Sequence, residues 1–178
     1  MIYINRIFFG FYNQLKKFYL NSNIYDNRIS KFYSNHLVYK PSPHLLTSLI
    51  KYNKKKFKIE DFSLNKIWNN QNMSVKEFKN LNSFYWFFSL DLKSSKREVQ
   101  SVISNWIVNN YKYNNKCWSF DLIAKRIISW LSNHNLTYDE SDTKYKTRFN
   151  FSVNNQINHL INEISKSRSV NDKLLGCI

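Results

Sequence analysis

The stretch from Ser95 to Leu131 carries three tryptophans on two helical patterns, and it constrains the fold more than any other part of the chain. Ser95-x-x-Glu98 has the form of a capping box, in which the Ser side chain takes an orphan N–H and the Glu reaches back to the cap. Behind it Val99, Val102, Ile103, Trp106 and Ile107 fall at i, i+3, i+4, i+7 and i+8, one face of a helix. The segment from Trp118 to Leu131 repeats the pattern with Ile123, Ile127, Trp130 and Leu131. The spacing predicts helices over 96–110 and 119–134, joined by the Asn- and Tyr-rich link 109–116. A short link of this kind predicts an antiparallel pair, which must bury its apolar face against the rest of the chain.

The flanking segments supply that cover. Residues 2–20 place Ile4, Ile7, Phe8, Phe11, Tyr12, Leu15, Phe18 and Tyr19 at helical spacing, interrupted by Gly10. The expectation is a helix lying across the domain, ahead of a basic amphipathic helix on an anionic membrane surface. Residues 21–48 read as loop, punctuated by Asn21-Ser-Asn23 and Pro41-Ser-Pro43. Lys56 to Phe62 alternates as a short strand does. A second capping box, Ser74-x-x-Glu77, precedes Phe78, Leu81, Phe84, Tyr85, Phe88 and Leu92 at helical spacing. After an acidic turn ending at Asp142, Phe149, Val153, Ile157, Leu160, Ile161 and Ile164 mark a long helix reaching about residue 166. Asp172 then caps a short apolar run that stops at Ile178, as if the chain were cut off mid-structure. The domain reading is 1–72, an N-terminal helix plus an irregular basic segment with a short strand, and 73–178, a helical region.

Composition sets limits on function. The 178 residues suffice for one core, and 43% hydrophobic with 17% aromatic residues argues against disorder. The formal net charge is +15, the sequence pI about 9.8, and Asp26 is the sole acid before residue 59. Ala occurs once and Gly twice in a chain rich in Asn, Lys, Ile and Tyr, a bias that manufactures basic charge on its own. A solvated basic surface is therefore preferred over a dedicated polyanion site, with a small helical module binding RNA or another polyanion as the alternative. Cys117 and Cys177 lack metal or disulfide-framework spacing, and the four histidines are scattered, so no metal and no cofactor is expected. The first ten residues do not form a convincing signal peptide and no run is long enough to span a bilayer. A cytoplasmic location is expected, a periplasmic one the alternative.

Three segments taken in order carry a resemblance: Leu81-Asn-Ser-Phe-Tyr-Trp-Phe-Phe-Ser-Leu90, Val102-Ile-Ser-Asn-Trp-Ile107, and Trp118 through Arg126-Ile-Ile-Ser-Trp-Leu131. With Gln156-Ile-Asn-His-Leu-Ile-Asn-Glu-Ile164 and Lys173-Leu-Leu-Gly-Cys-Ile178, the set resembles the N-terminal helical region of the heparinase II/III-like family over about residues 40–178. More closely, it is similar to the bacterial branch without an obvious export signal. The resemblance implies an all-α, incomplete (α/α) toroid, which in complete relatives packs against a C-terminal β-sandwich. It implies an anionic, uronic-acid-containing polysaccharide as partner, cleaved by β-elimination in full-length polysaccharide lyases. The catalytic Asn-His element and Tyr of relatives lie beyond this chain, so the resemblance assigns no catalytic residue here.

Four residues stand as candidate glycan contacts. Trp68 and Trp118 could offer flat faces to a pyranose, whereas Trp106 and Trp130 share faces with aliphatic residues and read as core. Arg126 could fork to a substrate uronate or to an internal carboxylate such as Asp121, and the internal pairing is favoured. His134, beside Asn133 in the turn after the second helix, completes the set. His159 reads as a satisfied, semi-buried histidine.

Overall fold

In a computed structural model of the chain, residues 2–31, 73–90, 95–167, 169–170 and 173–174 are described, with side chains from Phe8 onward. The described part is mostly helical and contains no sheet. Its helices are α1 (Ile2–Leu20), α2 (Asn23–Ser30), α3 (Val75–Ser83), α4 (Lys96–Asn110), α5 (Phe120–Ser132), the short α6 (His134–Thr137) and α7 (Thr143–Glu163). Tyr85–Ser89 and Ile164–Lys166 are 3₁₀ turns. The strand expected over 56–62 and the terminal apolar run to Ile178 lie largely outside the described residues.

Local chemistry starts these helices where the sequence places their caps. Ser74 Oγ accepts from Glu77 N at 3.2 Å while Glu77 Oε2 accepts from Ser74 N at 2.9 Å, a complete capping box. Ser95 Oγ accepts from Glu98 N at 3.3 Å and Asp142 Oδ1 from Tyr145 N at 2.7 Å. Residues 21–48, expected as loop, instead open with α2, whose N-cap Ser22 Oγ accepts from Tyr25 N. Tyr25 and Ile29, one turn apart, are both buried there, so tertiary packing stabilises a helix that its polar composition concealed.

The helix expected to run on through Phe84 to Leu92 stops at Ser83. Phe84 turns into the left-handed region (φ 54°) and a 3₁₀ turn follows. Ser83 accounts for part of this, since its Oγ donates to Asn80 O at 2.8 Å and accepts from Tyr85 N at 3.2 Å. The turn also drives the Phe84 ring edge-on against Trp106 (5.9 Å between centroids) and Trp130 (5.2 Å). Similarly, the second tryptophan helix ends at Ser132 rather than 134, where Asn133 Nδ2 donates back to Ser129 O.

The expected pair, α4 and α5, is not the tightest packing in the molecule. α5 packs along α3 and α7, α4 packs along α6 and α7, and the two meet through Trp106 and Trp130, whose rings lie 5.5 Å apart and nearly perpendicular. Longer than either, α7 runs against α2, α4 and α5. Leu20, Tyr25 and Ile29 belong to the same hydrophobic core as Val99, Trp106, Ile123, Trp130, Phe149 and Val153, so the N-terminal segment shares its core with 73–178. α1 departs from expectation. Instead of lying across the body, it joins it at its C-terminal end, where Leu20 is buried and Tyr19 half-buried, while its flank from Phe8 to Leu15 faces outward.

Candidate functional site

Arg126 is the most buried charge in the described core, with no exposed surface. Nε donates to Gln156 Oε1 (2.7 Å), Nη1 to Asn82 O (2.8 Å) and Nη2 to Cys117 O (3.1 Å), and the guanidinium lies 4.1 Å from the Trp106 ring centre. Asn82 Oδ1 in turn accepts from Trp106 Nε1 at 2.9 Å. Burial pushes the guanidinium down to about 9, so it stays charged at neutral pH. Asp121, the internal partner expected for it, instead accepts from Ser119 Oγ at 2.7 Å. Arg126 thus ties α3, the 111–119 link and α7 together from within, through neutral acceptors.

The other sequence candidates disperse. Trp118 is buried, its Nε1 donating to Asn110 O at 3.3 Å and its ring edge-on to Tyr113 and His159, so no face is open to a sugar. His134 is half-buried at the start of α6, with Nε2 3.7 Å from Asp139 Oδ2 and a buried Nδ1 that has no hydrogen-bond partner. Trp68 lies outside the described residues. The structure does not bring Trp118, Arg126 and His134 to one surface.

A buried cluster forms around His159. Its Nδ1 is 2.6 Å from the Tyr25 hydroxyl, and Tyr25, Tyr113, Trp118 and Phe120 surround the ring. Desolvation dominates and holds the imidazole down at about 4, so it is neutral at physiological pH. One turn on, Glu163 receives Lys166 at 2.6 Å and Lys16 at 3.2 Å, and these lysines keep its carboxyl below the ordinary range despite burial. The Lys16 contact fastens the end of α1 to α7.

On the adjacent surface, α2, the link and α7 enclose a groove of about 400 Å³. From α2 come Asn23, Asp26, Asn27 and Ser30; from the link, Tyr111 and Lys112; from α7, Phe151 and Asn155. Lys112 Nζ donates to Asn23 Oδ1 at 3.0 Å and lies 5.8 Å from the Tyr111 ring centre, so its partners are an amide oxygen and a π face. Asp26 Oδ1 accepts from Tyr113 N at 3.3 Å, which turns that carboxylate toward the link backbone. Tyr111 is 51% exposed. Asn155 is 4% exposed and its buried Oδ1 has no hydrogen-bond partner, although a buried amide oxygen ordinarily has one.

These groups can bind a polar ligand. Carboxamides match hydroxyl donors and acceptors, the Tyr111 face suits a pyranose ring, and Lys112 suits a carboxylate. The groove lining holds no histidine, and among the described residues no three His, Cys, Asp or Glu side chains are placed to hold a metal. Reading 21–48 as loop hid this groove, because half of it is built on α2. The available signal was Ser22 three residues before Tyr25, with Ile29 one turn later. Compared with known families, with characterised proteins and with solved structures, the chain finds no match.

Proposed function

We propose that the chain is a glycan-binding helical region, equivalent to the N-terminal part of a heparinase II/III-like polysaccharide lyase and inactive alone. The groove between α2 and α7 is its saccharide subsite. The observation that carries this reading is the groove lining itself, where the exposed Tyr111 ring, the Lys112 cation and the carboxamides of Asn23 and Asn27 face one cavity. Sugar hydroxyls would bond to the Asn27 carboxamide, and a uronate carboxylate would replace the Asn23 amide oxygen now bound by Lys112. The finer architecture belonging to this reading is the (α/α) toroid, completed by helices and a β-sandwich outside this chain. There a lyase would draw the C5 proton from the uronate and expel the 4-linked sugar.

The test is titration of the protein with uronic-acid oligosaccharides, followed by amide chemical shifts or calorimetry. Tyr111→Ala and Asn27→Ala should each weaken binding about tenfold, as expected when a stacking face or a hydrogen bond to the ligand is lost. No ultraviolet-absorbing unsaturated product should form. Lack of binding by the wild-type chain would overturn the glycan reading, and turnover would overturn the assignment of catalysis to missing parts. A single-stranded oligonucleotide bound as tightly, with strong salt dependence and no response to either substitution, would transfer the assignment to the polyanion alternative.

A further inference from the structure

Besides Phe9 (43% exposed), which lies off to one side, α1 carries five large apolar side chains that the body leaves in solvent: Phe8 (69% exposed), Phe11 (61%), Tyr12 (57%), Leu15 (52%) and Phe18 (77%). They recur at i, i+3, i+4, i+7 and i+10, which places them on one arc about 120° wide at 100° per residue. Asn13, Gln14 and Lys17 occupy the opposite arc. The body holds this helix by its end, through Leu20, the half-buried Tyr19 and the Lys16–Glu163 ion pair. A row of exposed apolar side chains along one side of a helix marks a surface that meets a partner or a membrane.

Charge selects the occupant. Apart from Lys16, which Glu163 neutralises, the α1 sequence contains Arg6 and Lys17 and no Asp or Glu, in a chain of net charge +15. A second copy would bring an equally basic helix against it, whereas a phosphate-bearing lipid surface offers the opposite charge together with an apolar layer. Phenylalanine, tyrosine and leucine on one arc with lysine on the other is the composition of helices that lie in the bilayer interface. At about 1.5 Å per residue the 19 residues extend about 28 Å along that surface. No helix among the described residues is long and apolar enough to cross a membrane. We propose that α1 is an interfacial helix that seats the Phe8–Phe18 arc in an anionic lipid surface and holds the helical body against it.

The experiment is co-flotation of the full chain with vesicles of phosphatidylcholine alone and of phosphatidylcholine with phosphatidylglycerol, at low and high salt. The wild type should bind the anionic vesicles at least about tenfold more tightly than the neutral ones, and added salt should weaken the binding. The double variant Phe11→Ser, Phe18→Ser should lose at least about a further tenfold. Both rings are exposed, so its thermal melt should match wild type, which separates lost binding from lost fold. Tyr111→Ala, in the groove, should float as wild type does, so this inference stands apart from the glycan reading. Failure to bind anionic vesicles at low salt would overturn it. So would wild-type binding by the double variant, which would leave charge alone as the cause. A concentration-dependent dimer without vesicle binding would give the face to a second copy and equally overturn the proposal.

Discussion

Arg126 is charged, enclosed and without a carboxylate, so its stability rests on three carbonyl acceptors and the Trp106 face. Replacing it by Met strands Asn82 O and Cys117 O in the core. Urea denaturation of Arg126→Met should show a loss of about 3–5 kcal/mol. Arg126→Lys should also destabilise, because an ammonium cannot reach three acceptors in a planar fork. His159 gives the chain an acid-sensitive step. Its imidazole ionises at an ordinary 6.5 in the unfolded chain but only near 4 in the fold, where Lys16 and Lys166 add to desolvation. Between those values the unfolded state binds more protons, so this stabilisation is complete above 6.5 and is lost as pH falls toward 4. The loss amounts to roughly 3 kcal/mol, less whatever relaxation supplies. Stability curves from pH 7 to 4 should therefore be steeper for wild type than for His159→Phe. Equal slopes would show that the imidazole is not the group responsible.

At the scale of elements, the caps were legible and the interruptions were not. Ser74 and Glu77 close a full capping box, and Ser95 and Asp142 each accept the N–H three residues on, since a cap needs only its own next three residues. The break at Phe84 had no such signature: an aromatic residue at helical spacing gave no sign of a left-handed turn. That conformation serves the contact of its ring with Trp106 and Trp130. Phe84→Ala should cost about 3–5 kcal/mol for the lost ring. Phe84→Gly should lose up to about 1 kcal/mol less, because glycine adopts positive φ without a Cβ penalty. Comparison of the two thermal or urea midpoints isolates the backbone strain, and equal midpoints would remove it.

Across the whole molecule, one core joins α2 to α4, α5 and α7, with Tyr25 and Tyr145 among its buried members. Burial raises the phenols of Tyr25, Tyr113 and Tyr145 above the ordinary 10. Above pH 10 the unfolded chain ionises its tyrosines while these three keep their protons, so the native state binds more protons and stability falls as pH rises. Denaturation followed from pH 9 to 11 should show this decline, partly opposed by Arg126, whose lowered value acts in the reverse sense. Tyr145→Phe removes one hydrogen bond, to Thr137 O at 2.7 Å, and should flatten the decline while lowering stability at neutral pH.

The sequence by itself determined the helical class, the capped starts of α3, α4 and α7, and the burial of Trp106 and Trp130, because caps and 3.6-residue periodicity act within a few residues of the chain. Only the tertiary structure decided what Arg126 binds, whether Trp118 is open to solvent, that α2 exists, and that the Phe8–Phe18 arc is left outside. Each of these depends on groups far apart in sequence. The Tyr25–His159 contact that seats α2 spans 134 residues, and no local pattern records which distant helix will arrive to satisfy a side chain.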